Sequence, residues 1–185
     1  MKHTFFKVFI LFLFVFFWSD SKAQVGFHTL GFEGQIYPTG YLLGLRGEFA
    51  LAEKHSIDLR VGTNIFDHQD FGVQDEEVGD GFGFTLGYRY YFSKEKEKWI
   101  AGIRSDLWWN TVEWKNNTVI DDLEGTTEIF VVQPTAIVGY VWKLGEHFQI
   151  TPTIAFGFEV NAITDGAPTG EGAILLGGIN LDYQF

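Results

Sequence analysis

The chain contains no cysteine, and this one absence removes disulfides, thiolate metal ligands and cysteine nucleophiles together. Proline occurs only four times in 185 residues, so few extended segments carry a residue that cannot donate to a sheet ladder. Basic residues are scarce: 13 Lys plus Arg stand against 24 Asp plus Glu, a formal net charge of −11. A surface this acidic has no basic footprint for a phosphate backbone, which argues against a nucleic-acid partner. Beyond the first 23 residues, no apolar run approaches the ~20 residues that a spanning helix requires. Glycine and aromatics are abundant instead, with 22 Gly, 20 Phe, 7 Tyr and 6 Trp. So many aromatics argue against disorder.

Residues 1–23 read as a secretory signal. Lys2, His3 and Lys7 make a basic start, Val8–Trp18 is an apolar run, and Ser21-Lys22-Ala23 offers small residues for cleavage before Gln24. The run is too short to span a bilayer as a helix. No cysteine follows it, so no lipoprotein anchor is expected. Residues 24–185 are then one exported domain, more acidic still once three lysines have left with the signal.

Eight segments of that domain alternate with period 2: roughly 27–36, 41–51, 56–66, 81–92, 99–110, 128–142, 147–159 and 172–185. In the last, Phe185, Tyr183, Leu181, Ile179 and Leu175 fall on one face, and Gln184, Asp182, Asn180 and Gly178 on the other. The second repeats the pattern with Tyr41, Leu43, Leu45 and Phe49, the third with Ile57, Leu59, Val61 and Ile65. Most segments reach the 9–11 residues that a tilted strand needs to cross a bilayer. A soluble sandwich is the competing architecture, but its strands average about 5–6 residues. Pro134 and Pro152 sit inside the sixth and seventh segments, where a bulge or local irregularity is expected near each.

The connections sort into two kinds. Ala52–His55, Ser93–Lys98 and Lys143–His147 are short, whereas 67–80, about 111–127 and about 160–171 are longer. The first connection, Tyr37–Gly40, is short and departs from the alternation. Lysines gather in the short turns, arginines lie in the strands, and acids crowd the long loops. Short turns at one end and long loops at the other are the pattern of an outer-membrane barrel, with turns in the periplasm and loops outside.

On these features the chain resembles the small eight-stranded outer-membrane barrels of the OmpA/OmpX type. The fold expected is all-β, an eight-stranded antiparallel up-and-down transmembrane β-barrel. The resemblance implies an outer membrane of the Gram-negative type, with outer-membrane lipid and lipopolysaccharide as surroundings. It also implies that the barrel-assembly machinery reads the last strand through Tyr183 and Phe185. A monomer without cofactor is expected.

Polar positions of alternate parity place ten charged residues in the lumen: Glu33, Arg46, Glu48, Asp58, Arg60, Arg89, Arg104, Asp106, Glu159 and Asp182. Arg46/Glu48, Asp58/Arg60 and Arg104/Asp106 are opposite charges two apart, hence on one face. Eight strands leave an interior just wide enough for side chains, so a salt-bridged plug is the plain reading and a gated ion path the sharper one. Toward the loop end the inward positions turn apolar, at Leu42, Phe66, Trp108, Val131, Ile174 and Leu176. That set is either a pocket for a hydrophobic ligand or a seal.

Trp99, Tyr90, Phe92, Trp142, Phe148, Tyr183 and Phe185 near the turns, and Trp109, Trp114, Phe71 and Phe82 near the loops, fit two interfacial aromatic belts. The acidic loop residues Asp75, Glu76, Glu77, Asp121, Asp122 and Glu124 are the expected contact surface. Asp67–Gly72 does not keep calcium-loop spacing, and no metal site is expected. For catalysis, the domain offers only Ser56, Ser93 and Ser105 with His28, His55, His68 and His147. His55 and Ser56 are neighbours on a strand and so point to opposite faces. Three roles follow in order: a non-catalytic structural or surface-interaction barrel, a small carrier for a hydrophobic compound, and an outer-leaflet lipid enzyme using Ser105.

Overall fold

A computed structural model describes residues 26–69, 73–117 and 122–185. The expected signal segment, Asp70, Phe71 and Asp121 lie outside these described residues. Eight strands run in sequence order: β1 (Gly26–Tyr37), β2 (Gly40–Ala52), β3 (His55–Gln69), β4 (Glu76–Tyr91), β5 (Lys98–Asn117), β6 (Asp122–Leu144), β7 (Phe148–Asp165) and β8 (Gly172–Gln184). Every neighbour pairs antiparallel, and β8 closes on β1 from Thr29↔Gln184 to Ile36↔Gly177. Closure leaves no free edge, so every strand has a ladder on both sides. The chain is therefore an up-and-down, eight-stranded transmembrane barrel.

Alternation decides which side of the wall each residue occupies. Leu30, Phe32 and Ile36 of β1, Phe82, Phe84 and Leu86 of β4, and Ile154, Phe156 and Phe158 of β7 all stand on the outer surface. Phe82 is 68% exposed. In water such a surface would be an aggregation hazard, whereas in hydrocarbon it is solvated. The interior parity carries the polar residues, an inversion of a soluble protein.

The strands run further toward the long-loop end than hydrophobic alternation indicates. β3 continues through Asp67 and His68, β4 starts at Glu76, and β5 and β6 pair as far as Asn117↔Asp122. The connections shrink accordingly to 70–75, 118–121 and 166–171. The reason is physical: apolar alternation ends where lipid contact ends, but ladder hydrogen bonds continue above it through polar residues. β1, β2 and β8 have only 12, 13 and 13 residues, against 20 and 23 in β5 and β6. The wall is therefore low along β8–β1–β2 and tall along β5–β6.

The two strand prolines meet one seam. Pro134 pairs with Ser105 of β5, and Pro152 with Ile179 of β8. Between β6 and β7 the ladder steps from Val132↔Val160 to Thr135↔Gly157, and from Gly139↔Thr153 to Trp142↔Ile150, with register unchanged. The irregularity expected near each proline is thus a gap in the pairing and not a bulge. The register shift falls instead at Phe130/Val131, which pair with Ile163 and Asn161.

Candidate functional site

The lumen is organised in layers, each set by the inward parity of the strands. At the short-turn end, Tyr91, Ile100 and Val141 form a small apolar cluster. Lys96 folds in from the β4–β5 turn beneath it, with Nζ 4.9 Å from the centre of the Tyr91 ring. That ammonium also donates to Ser56 Oγ and to the His55 carbonyl. Lys96 itself adopts a left-handed backbone (φ 51°), which turns the chain inward. Burial pushes its ammonium below the ordinary lysine range, partly offset by Glu48.

Above this base sit the buried charges. Arg46 Nη1 lies 2.6 Å from Asp182, and Nη2 lies 3.0 Å from Glu48. Arg60 reaches Asp106 at 2.6 Å and Glu33 at 3.3 Å. Arg104 takes Glu33 at 2.6 Å and Asp106 at 3.3 Å. Arg89 lies 3.2 Å from Asp58. Gln35 bridges two of these guanidiniums, accepting from Arg60 at 2.8 Å and also from Arg104. Tyr91 donates to Glu48 at 2.6 Å, tying the layer to the base below.

Four arginines and five carboxylates thus make one cross-strand network. Two of the expected same-strand pairs form, Arg46/Glu48 and Arg104/Asp106. The third does not: Asp58 goes to Arg89, and Arg60 reaches across the lumen. Glycines supply the space. A Cβ at Gly44 would sit 2.8 Å from Arg60 Cγ, and one at Gly87 would strike the Asp58 carboxylate.

Glu159 does not belong to this network. It stands near the loop end, on the far side of an apolar layer, where it lines a separate cavity. Leu42, Trp108, Val131 and Leu176 build that layer and are all fully enclosed. The Trp108 ring lies 5.5 Å from the Arg60 guanidinium and caps the charges, while its indole N–H donates to Gln133 at 3.3 Å. Of the six apolar residues expected at the mouth, only Phe66 and Ile174 reach the cavity. The other four form a seal.

The cavity holds about 260 Å³ and opens beside the low wall at Tyr37–Thr39 and Gly172–Ile174. Asn110, Val112 and Ile129, not singled out from the sequence, also line it. Their signal was available: all continue the inward parity of β5 and β6 beyond the lipid-facing pattern.

The remaining expected sites distribute as follows. Glu77 turns inward and is buried, lying 3.4 Å from His68 and accepting from the Gln74 amide at 3.3 Å. It is a cavity residue and not an exposed loop contact. Asp75 and Glu76 are partly exposed, and Glu124 is exposed. Asp122 begins β6, and Asp121 lies outside the described residues.

Trp114 shares the inward parity of Asn110 and Val112. It packs over Gly125 and donates to Thr127 at 3.1 Å, so it leaves the loop-side belt to Trp109 and Phe82. At the turn end Trp99, Phe92, Trp142, Phe148, Tyr183 and Phe185 are exposed on the outer surface. His55 bonds Tyr88 on the outside while Ser56 points inward, and Ser105 sits mid-strand between Leu86 and Pro134.

No family model matches the sequence, and no curated protein matches it. Solved structures do. A major outer membrane protein from Thermus thermophilus is 12% identical and superposes over 85% of this chain and 99% of its own, with a TM-score of 0.56. Neisserial surface protein A is 7% identical over 86% of this chain and 96% of its own, with a TM-score of 0.50. The N-terminal β-barrel domain of Pseudomonas aeruginosa OprF is 14% identical over 86% and 97%, with a TM-score of 0.48. The fold is that of the small eight-stranded outer-membrane barrels of the OmpA/OmpX type. Identities this low carry the fold, and what the barrel does must be argued from its own residues.

Proposed function

We propose that this protein is a non-catalytic outer-membrane barrel of a Gram-negative-type envelope, acting as a structural or surface-interaction element through its acidic long-loop end. The supporting observation is the lumen. Paired guanidiniums and carboxylates fill it from wall to wall, Trp108 and Leu176 cap it, and Lys96 and Tyr91 close its base. A barrel filled in this way has no passage for solutes, so its chemistry is confined to its rim. Asp75, Glu76 and Glu124 are the contact residues, in place of the inward-turned Glu77. Lipid and lipopolysaccharide surround the apolar wall. Tyr183 and Phe185, exposed on β8 and beyond it, are offered to the barrel-assembly machinery.

Neutralising the rim tests this reading. Cells displaying the Asp75→Asn, Glu76→Gln, Glu124→Gln variant should lose attachment to a surface that binds the parent, while the barrel itself still folds. Unchanged attachment would contradict the rim assignment. The carrier role rests on the mouth cavity, and with four of the six apolar residues sealed beneath it, a purely hydrophobic ligand fits that cavity poorly.

A further inference from the structure

The outward side of the wall carries a groove across β8, β1 and β2. It measures about 480 Å³, and Gly34, Ile36, Tyr41, Leu43, Gly177 and Ile179 line it. These residues share the parity of the exposed Phe32 and Leu175, so the groove faces hydrocarbon. Its depth comes from two glycines set diagonally. Gly34 pairs with Leu43 on one side and Ile179 on the other, and Gly177 pairs with Ile36 and Ile154. Tyr41 adjoins the Tyr37–Gly40 connection, and Gly34 lies about 10 Å from it along β1. The groove therefore sits in the loop-side leaflet, and its upper end meets the low wall.

Packing within the chain does not require these two glycines. At Gly31 a Cβ would strike the Leu181 carbonyl, at Gly62 the Leu43 carbonyl, and at Gly44 it would lie 2.8 Å from Arg60 Cγ. At Gly34 the nearest atom would be Leu43 Cδ2 at 3.5 Å, and at Gly177 it would be Ile36 Cγ1 at 3.8 Å, both ordinary contacts. A side chain would fit at either position and fill the groove. What occupies it instead follows from its surroundings. Hydrocarbon is the solvent of this face, so close packing and not the hydrophobic effect decides the occupant. A straight alkyl chain in the groove touches protein on its floor and both sides, whereas on the convex wall nearby it touches along one side. A second barrel fits worse, because two convex walls meet along a narrow line and a stable interface buries roughly 1,200 Å² or more. The outward side chains of the groove are apolar apart from the Tyr41 phenol, which stands at headgroup level and leaves no head group to be read within the groove.

We propose that this groove holds one straight acyl chain of a membrane lipid from the loop-side leaflet. Gly34 and Gly177 form its floor, and Ile36, Leu43 and Ile179 form its sides. The inference rests on the outer-membrane reading and deepens it: general lipid contact becomes, at this place, a site that selects a chain by shape.

The test is native mass spectrometry of the refolded barrel, released from a mild uncharged detergent, with three lipid probes. Dimyristoyl phosphatidylcholine should be retained as one lipid per barrel, and dimyristoyl phosphatidylglycerol equally well, because the head group is not held. Diphytanoyl phosphatidylcholine, whose chains carry methyl branches, should bind about tenfold more weakly. The double variant Gly34→Leu, Gly177→Leu fills the groove and should weaken the straight-chain lipid about tenfold, while Leu86→Ile, elsewhere on the wall, should leave it unchanged. If the leucine variant does not refold, Gly34→Ala with Gly177→Ala adds only groups that make ordinary contacts and should give a smaller loss in the same direction. Retention by the filled variants equal to that of the parent would overturn the proposal. So would equal retention of straight and branched chains, or no retained lipid on the parent. A two-chain mass that disappears when the groove is filled would reassign it to self-association. Failure of the barrel to insert into liposomes would overturn the site together with the membrane reading on which it rests.

Discussion

Arg60 shows how a single side chain holds this lumen. Its guanidinium serves Glu33 and Asp106 at once, donates to Gln35, and lies under the Trp108 ring. Removing it leaves buried carboxylates short of a partner, which typically costs ~3–5 kcal/mol. Arg60→Ala should therefore lower the urea midpoint of the refolded barrel strongly, whereas Lys94→Ala, at an exposed pair with Glu53, should leave it nearly unchanged. Equal effects would remove the paired-plug account. Lys96 would be a poor control despite its place in a lysine-rich turn, because it is buried against Tyr91 and Ser56. The Lys96 ammonium is harder to keep charged in the fold than in the unfolded chain, where it titrates near ~10.4. Between the lowered value and that one the unfolded chain binds more protons, so stability rises with pH across that window. Wild type should gain on Lys96→Met as pH climbs toward ~10.4, and parallel urea midpoints across the series would contradict this. Nothing in the sequence flags Lys96: its turn lies outside any alternation, and only the left-handed backbone brings it under the barrel.

The elements differ in how far alternation reveals them. Where one side meets lipid and the other meets charge, as in β2 and β8, face assignment follows directly from parity, since a slip of one residue would put Arg46 or Asp182 in hydrocarbon. The long-loop ends are less legible, because polar residues on both faces leave no period to read. Glu77 and Trp114 were hidden for that reason, their inward direction visible only by extending the parity of β4 and β5. Side-chain reach is also invisible in spacing. Asp58 and Arg60 are two residues apart, yet each finds its partner on another strand. A local irregularity at each proline was legible, but not that Pro134 and Pro152 leave their gaps in the same seam. Amides of β6 and β7 beside those gaps, around Gln133 and Val141, should take up deuterium on the order of tenfold faster than those of the uninterrupted β4–β5 ladder. Uniform protection around the barrel would show that the seam is not weakened.

At the scale of the whole molecule, three environments are stacked along one axis. A closed base, a charge-paired middle and an apolar cap fill the lumen, while the outer surface is built for hydrocarbon. Aromatic side chains mark both rims, with Tyr183, Phe185 and Phe148 in contact at the turn end and Phe82 stacked on Trp109 at the loop end. Such rings favour the level of the lipid headgroups. Filled in this way, the barrel should carry no continuous aqueous path, and the direct measurement is electrical. Purified barrel inserted into a planar lipid bilayer should leave the current at the level of the bare membrane across the voltage range. Steady, reproducible conductance steps from the wild-type protein would contradict a sealed lumen and make the charged interior a conduction path.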